Sequence, residues 1–242
     1  MKPPVAAVSE AHGTLERLVA GVNDQQVAEA SALPGWSRGH VLAHLTDNAR
    51  MFTRIAEHAL RGELVAAYDG GMDERNAIIE ATAGRSADEH RAELARHTAR
   101  LQAAWARVGA AHWSRPVTFR NADLAATVRA RWREVWIHMT DLELGVRPDD
   151  WPEELACHAV DFLLCRLPVG TLVRAQDVHR RWSTGDDPAT VVTGQVRDLA
   201  AWLAGRTPTV PPVAAEGMPA LGPWPPHPPQ QLDAASRNAR GR

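Results

Sequence analysis

Apolar residues recur at helical spacing through most of the first 147 residues. A period near 3.6 residues predicts amphipathic helices that bury one face. The predicted helices cover residues 8–30, 37–60, 73–83, 86–109 and 124–144. Ser37 and Ser86 are good N-terminal caps, and Glu89 lies where it can complete a capping box with Ser86. The first 147 residues are therefore predicted to form an all-α bundle of about four main helices.

The pattern changes after Pro148. Helical periodicity persists over residues 152–166 and 194–203. Between these segments lie short runs of β-prone residues at 171–173, 179–182 and 190–193. This alternation predicts a small α+β domain over residues 148–212. Residues 213–242 are rich in proline and lack periodicity, so we expect a disordered tail.

Composition narrows the possible partners and the compartment. Hydrophobic residues make up 45% of the chain, charged residues 23%, and the net charge is -2. No basic field favours nucleic acid, and neither a signal peptide nor an apolar run of about 18 residues is present. Cys157 and Cys165 are too far apart on one predicted helix for a disulfide. We expect a cytoplasmic protein with two reduced core thiols, no nucleic-acid or membrane partner, and a monomeric or weakly dimeric state.

Two acid–base residues stand out on the last predicted helix of the bundle. Glu134 and His138 lie four residues apart, which places them on one helical face. Their neighbours Val135 and Ile137 are apolar, so both polar groups are expected to be buried. A buried carboxylate and a buried imidazole are costly without a partner. A shared metal ion would satisfy both, although a solvated ion pair has the same spacing.

His44 can supply a third ligand from another helix, because Ala43 and Leu45 flank it on a predicted core-facing side. Two histidines and one carboxylate with an open fourth position form a catalytic type of zinc site. Asp141 lies one turn beyond His138 and could orient its imidazole. A core histidine is the alternative for His44, and His40 competes with it as a ligand.

The segments LPGWS at 33–37, HVLAHL at 40–45 and RWREVWIHMTDL at 131–142 resemble signature segments of mycothiol-dependent maleylpyruvate isomerases. These enzymes belong to the DinB-like helical-bundle superfamily. The resemblance implies a DinB-like four-helix bundle followed by a small α+β domain. It places zinc or another divalent metal on His44, Glu134 and His138, and a catalytic arginine on Arg206.

The resemblance also implies a reaction in aromatic degradation, the mycothiol-dependent conversion of maleylpyruvate to fumarylpyruvate. A thiolate adds to the cis double bond, the resulting single bond rotates, and elimination gives the trans product. The implied partners are a small-molecule substrate and the low-molecular-weight thiol mycothiol. Arg206 is the first candidate to bind the substrate carboxylates, and Arg131 and Arg133 are weaker ones.

Two other functions fit the same residues. A mycothiol S-transferase acting on other electrophiles would use an identical metal site. A non-catalytic regulator could use the same bundle with a structural metal or none. A panel of electrophiles assayed with and without mycothiol distinguishes the first alternative, and metal analysis of the purified protein distinguishes the second.

Overall fold

The computed structural model describes residues 2–225, which form two compact units divided between Leu144 and Gly145. The first unit is helical, whereas the second combines helices with a four-stranded sheet. The predicted fold class, a helical bundle followed by a small α+β domain, is therefore confirmed. Among the described residues, no helix is both long and apolar enough to cross a bilayer.

Within residues 2–144, six α-helices build the first unit. They are α1 (Val5–Val19), α2 (Asp24–Ala28), α3 (Arg38–Leu60), α4 (Gly71–Ala83), α5 (Ala87–Ala106) and α6 (Leu124–Asp141). Helix α3 packs against α4, α5 and α6, and α1 packs against α5 and α6. Because α3 has neighbours on several sides, both its apolar residues and many of its polar residues are buried.

Side-chain caps fix where the main helices begin. The Ser37 hydroxyl accepts a hydrogen bond from the backbone N–H of His40, and Nδ1 of His40 accepts one from the N–H of Ser37. Histidine thus takes the position that Glu or Gln usually occupies in a capping box. Ser86 and Glu89 form the capping box predicted at the start of α5. The N-terminal caps predicted at Ser37 and Ser86 are confirmed.

The single helix predicted over residues 8–30 is wrong, because the chain turns after Val19 and forms two helices there. Asn23 caps the second helix, with its Oδ1 accepting from the N–H of Gln26 at 2.9 Å. In turn, Oε1 of Gln26 accepts a hydrogen bond from the backbone N–H of Asn23. These reciprocal bonds satisfy N–H groups that a continuous helix would have bonded internally.

The second unit contains α7 (Glu153–Leu163), β1 (Thr171–Ala175), β2 (Arg181–Ser183), β3 (Thr190–Gly194), α8 (Val196–Leu203) and β4 (Val213–Ala214). The strand order is β2-β1-β3-β4, with β1 and β3 parallel and the outer pairs antiparallel. Helix α7 packs against α8.

The first part of the predicted disordered tail is ordered. Strand β4 pairs with β3 within it, and the backbone N–H of Gly222 donates to the carbonyl of Arg166 at 2.7 Å. The Arg166 guanidinium also lies over the Trp224 ring. Backbone pairing and one aromatic anchor thus order a segment without periodicity. Residues 226–242 of the predicted tail lie outside the described residues.

Both cysteines are free, as predicted, but they differ in exposure. Cys157 is buried on α7. Cys165 follows α7 in a short 3-10 turn and is exposed, so the prediction of two core thiols is wrong for Cys165.

Gly39 marks a close approach between α3 and the end of α4. A Cβ atom at this position would lie 2.2 Å from the carbonyl oxygen of Ala83. We predict that Gly39→Ala lowers the free energy of unfolding by about 2 kcal/mol, because the backbones must separate. Gly13→Ala in α1 is the matched control, since it meets only the tip of Arg17 and should be neutral or stabilising. Urea unfolding measures both, and equal effects would contradict the packing argument.

Candidate metal centre

Helices α3 and α6 bring together the three residues predicted as metal ligands. His44 lies in the second turn of α3, and Glu134 and His138 lie one turn apart on α6. Oε2 of Glu134 is 2.9 Å from Nε2 of His44 and 3.3 Å from Nε2 of His138. The two imidazole rings meet edge to face, with centroids 4.7 Å apart. One carboxylate thus lies between two imidazoles.

Each of these residues offers one ligand atom, and the three atoms lie within 4.8 Å of one another. Within residues 2–225, no other His, Cys, Asp or Glu joins this cluster. Two imidazole nitrogens and one carboxylate oxygen match the donor set of an open zinc site. The arrangement can therefore hold a divalent metal and leave a position for another ligand.

Asp141 lies behind His138 and contacts the other nitrogen of its ring. Nδ1 of His138 is 2.8 Å from Oδ2 of Asp141, and Asp141 is buried. A histidine that binds a metal through Nε2 commonly donates its Nδ1–H to a carboxylate, which fixes its tautomer and ring orientation. The Asp141 contact has this form.

The three candidate ligands have shifted pKa values. Burial and nearby positive charge lower the pKa of His44 to about 4, against an opposing hydrogen bond to Glu134. Burial disfavours ionised Glu134, but hydrogen bonds from both histidines outweigh it and keep the pKa of its carboxyl well below the usual value. Burial likewise opposes a charged His138, yet Asp141 and Glu134 raise its pKa.

His44 and His40 have different partners, which decides between them as the candidate ligand from α3. The Trp36 ring lies 5.9 Å from the His44 ring, and His44 is only 6% exposed. His40 uses Nδ1 in the cap of α3, and its Nε2 lies 3.4 Å from Glu80. His40 is thus engaged away from Glu134, which leaves His44 as the α3 member of the cluster.

The model of the mycothiol maleylpyruvate isomerase N-terminal domain family matches residues 8–143. The chain belongs to this family. The family match covers the bundle and all three clustered residues, and it confirms the resemblance seen in the sequence.

Solved structures of family members show the same fold. A crystal structure of a mycothiol-dependent maleylpyruvate isomerase is 25% identical to this chain, with a TM-score of 0.78 over 92% of this chain and 94% of that one. A histidine-to-alanine mutant of a mycothiol-dependent maleylpyruvate isomerase gives the same TM-score and coverage at 24% identity. No curated protein sequence matches the chain.

Arg206 belongs to the second unit, where it follows α8. Its backbone N–H donates to the carbonyl of Ala201, and its Nη1 donates to the carbonyl of Ala204 at 2.6 Å. Burial lowers the pKa of Arg166, and the positive charge of nearby Arg206 lowers it further. The catalytic role assigned to Arg206 by resemblance stays a prediction.

The weaker arginine candidates are buried in the bundle. Arg131 is fully buried, donating from Nη1 to the Leu45 carbonyl and the Asn48 side chain and from Nε to His12. These bonds join α6 to α3 and α1, so Arg131 stabilises the bundle rather than facing a ligand. Arg133 is 7% exposed, and burial lowers its pKa to about 9.

Sequence patterns did not identify two residues that matter here. Arg75 on α4 places Nη2 3.0 Å from Nδ1 of His44, although no spacing links the two positions. His12 on α1 is bonded by Arg131 and also lies 3.1 Å from Nε2 of Gln102. The apolar stripe of α1 flanks His12, so helical position alone could have indicated that it is buried.

We predict that Asp141→Asn weakens zinc binding about tenfold, because the amide accepts a hydrogen bond from His138 without a negative charge. A competition titration against a chromophoric chelator measures the dissociation constant. Asp123→Asn on the same helix is the control, since asparagine caps a helix as well as aspartate does. Unchanged zinc affinity in Asp141→Asn, with native melting behaviour, would show that the Asp141 contact does not tune the site.

Burial, assisted by the charge of Arg131, lowers the pKa of His12 from 6.5 to about 2. Between these values the unfolded chain binds a proton that the folded protein excludes. The stability contribution is complete above about pH 6.5 and is lost as the pH falls. Between pH 7.5 and 5 we expect His12 to account for about 2 kcal/mol of destabilisation.

His12→Gln keeps an acceptor for Arg131 but cannot take up a proton. We therefore expect its free energy of unfolding, measured with urea, to fall less between pH 7.5 and pH 5 than that of the wild type. The difference should be about 2 kcal/mol. Equal decreases in the two proteins would show that His12 takes up its proton over the same pH range in the folded and unfolded chains, which would contradict the exclusion of the proton from the fold.

Proposed function

We propose that this protein is a mycothiol-dependent maleylpyruvate isomerase whose divalent metal, with zinc as first candidate, is bound by His44, Glu134 and His138. The observation that carries the proposal is the convergence of two imidazoles and one carboxylate on a common point. Membership of the family and the likeness to a solved isomerase at 25% identity support the substrate and the thiol.

The residues present fit such a metal. The donor atoms are of the types that zinc accepts, and Asp141 orients His138 as in known zinc sites. When bound, zinc would supply an electrophilic position that lowers the pKa of a coordinating thiol. Three protein ligands leave that position open to a thiol from outside the chain.

The chain's own residues bind and orient the ion. Glu134 provides the negative charge, which the hydrogen bonds of the two histidines keep ionised. His44 is buried on α3, and the indole of Trp36 lies beside it. Limited exposure of these groups reduces competition from water and strengthens electrostatic interactions at the site.

In the proposed reaction, the cis double bond of the substrate gains a sulfur substituent, and the electron pair moves onto the conjugated ketone as an enolate. The former double bond then rotates as a single bond. Expulsion of the sulfur returns the electron pair and yields the trans alkene, so atoms and charge balance. The substrate carboxylates need cations throughout, and Arg206 is the first candidate that family resemblance provides.

The direct experiment compares the wild type with His138→Ala. We expect the variant to lose bound zinc and all mycothiol-dependent isomerisation, because one of three metal ligands is removed. Metal content is read by mass spectrometry, and loss of maleylpyruvate is followed with and without mycothiol. His58→Ala is the matched control, since His58 pairs with Glu63 at the far end of α3.

Full activity of His138→Ala would overturn the proposed site. Wild-type turnover of other electrophiles with mycothiol, but not of maleylpyruvate, would instead assign a thiol transferase. A native wild type that binds neither metal nor thiol would assign a non-catalytic protein.

A further inference from the structure

An arginine occupies the position behind His44 where a metal-binding histidine normally finds an acceptor. Nη2 of Arg75 lies 3.0 Å from Nδ1 of His44, while Nε2 of that ring faces Glu134. The two histidines therefore differ. Nδ1 of His138 meets the carboxylate of Asp141, whereas Nδ1 of His44 meets a group that can only donate.

This contact is compatible with an imidazole that has its proton on Nε2 and a free lone pair on Nδ1. A neutral imidazole that gives the lone pair of Nε2 to a metal carries its proton on Nδ1. Two donors would then face each other, since the guanidinium of Arg75 has no acceptor. The Arg75–His44 hydrogen bond and metal binding through Nε2 therefore exclude each other.

Arg75 has little else to neutralise its charge. Its other hydrogen bond runs from Nη1 to the side chain of Asn76, and it forms no ion pair within residues 2–225. Asp47, one turn beyond His44 on α3, already accepts bonds from Arg50 and Tyr68. The Arg75 guanidinium is half-buried, has no carboxylate partner in the described part of the chain and contacts the ring of a candidate metal ligand. Such a group is suited to bind an anion.

We propose that Arg75 binds a carboxylate of the substrate, and that metal binding at His44 releases its guanidinium for this task. The inference rests on the proposed function, because the ligand it names is the cis-dicarboxylate type of substrate of that reaction. Arg75 is then a substrate-binding residue beside the metal centre.

The test uses Arg75→Gln in the full-length protein and two binding measurements that do not depend on turnover. Glutamine removes the positive charge but offers an amide oxygen that can accept from Nδ1–H of His44. We expect zinc to bind about tenfold more tightly, as for other partners of metal-bound histidines. Maleate, used as a cis-dicarboxylate probe with the zinc-saturated protein, should bind about tenfold more weakly, because a charge-assisted bond is lost.

Two further variants separate charge from structure. Arg75→Lys keeps a cation that only donates, so zinc affinity should stay near the wild-type value and maleate affinity should be partly retained. Arg85→Gln, just after α4, removes an arginine that pairs loosely with Glu93 and should change neither affinity. A purely structural role for Arg75 would instead weaken both zinc and maleate binding together.

Opposite shifts in zinc and maleate affinity support the proposal, even if the wild type fails to isomerise maleylpyruvate and the proposed function falls. Weaker or unchanged zinc binding in Arg75→Gln would overturn the release from His44. Unchanged maleate binding, or a wild type that does not bind maleate, would overturn the assignment of the carboxylate.

Discussion

The contact between α3 and α6 is the constraint on which the candidate site depends. It places the carboxylate of Glu134 between two imidazoles that are 94 residues apart in the sequence, on His44 and His138. His44 is buried, and Glu134 and His138 are half-buried rather than fully buried as the sequence predicts. Polar groups withdrawn from water in this way destabilise a bundle unless each has a partner. Around them, the fold supplies Asp141 behind one ring and Arg75 behind the other.

Buried hydrogen bonds also join the helices that carry the site. Arg131, one turn before Glu134, donates to α3 and to His12 of α1 and joins three helices through one fully buried guanidinium. A buried network of this kind specifies one register of helix packing more strongly than apolar contacts do, and within it only Nη2 of Arg131 lacks a hydrogen-bond partner among residues 2–225. The position of Glu134 relative to α3 is thereby fixed from inside the bundle.

Local sequence patterns predicted the helices that carry the site. The caps at Ser37 and Ser86 are set by side chains within a few residues, so their identity is readable from the sequence. The break after Val19 is hidden in the sequence because the apolar spacing continues to Val27. Reciprocal hydrogen bonds between Asn23 and Gln26 nevertheless start a new helix there. Glu134 and His138 share a helical turn, so their pairing follows from the sequence. His44 could be proposed from its core-facing position, but only resemblance or tertiary structure separates it from His40 and from a plain core histidine.

The contact of Arg75 with His44 could not be predicted from the sequence. Helix α4 buries only Ile79 and Ala83 among its residues, so its apolar pattern does not define which face meets α3. The direction of the Arg75 side chain follows from that packing. For Arg206 the limit is different, because its role was assigned by resemblance, and its bonds to Ala201 and Ala204 place it at the end of α8 without testing that role.

In the proposed site, one divalent cation binds two imidazoles and one carboxylate and keeps a position open. X-ray absorption at the zinc edge, on wild-type protein loaded with one equivalent of zinc and no thiol, tests this claim most directly. We expect nitrogen and oxygen ligands at about 2.0–2.2 Å, with scattering from two imidazoles and none from sulfur. Sulfur ligation, a single imidazole, or a fully hydrated ion would contradict it.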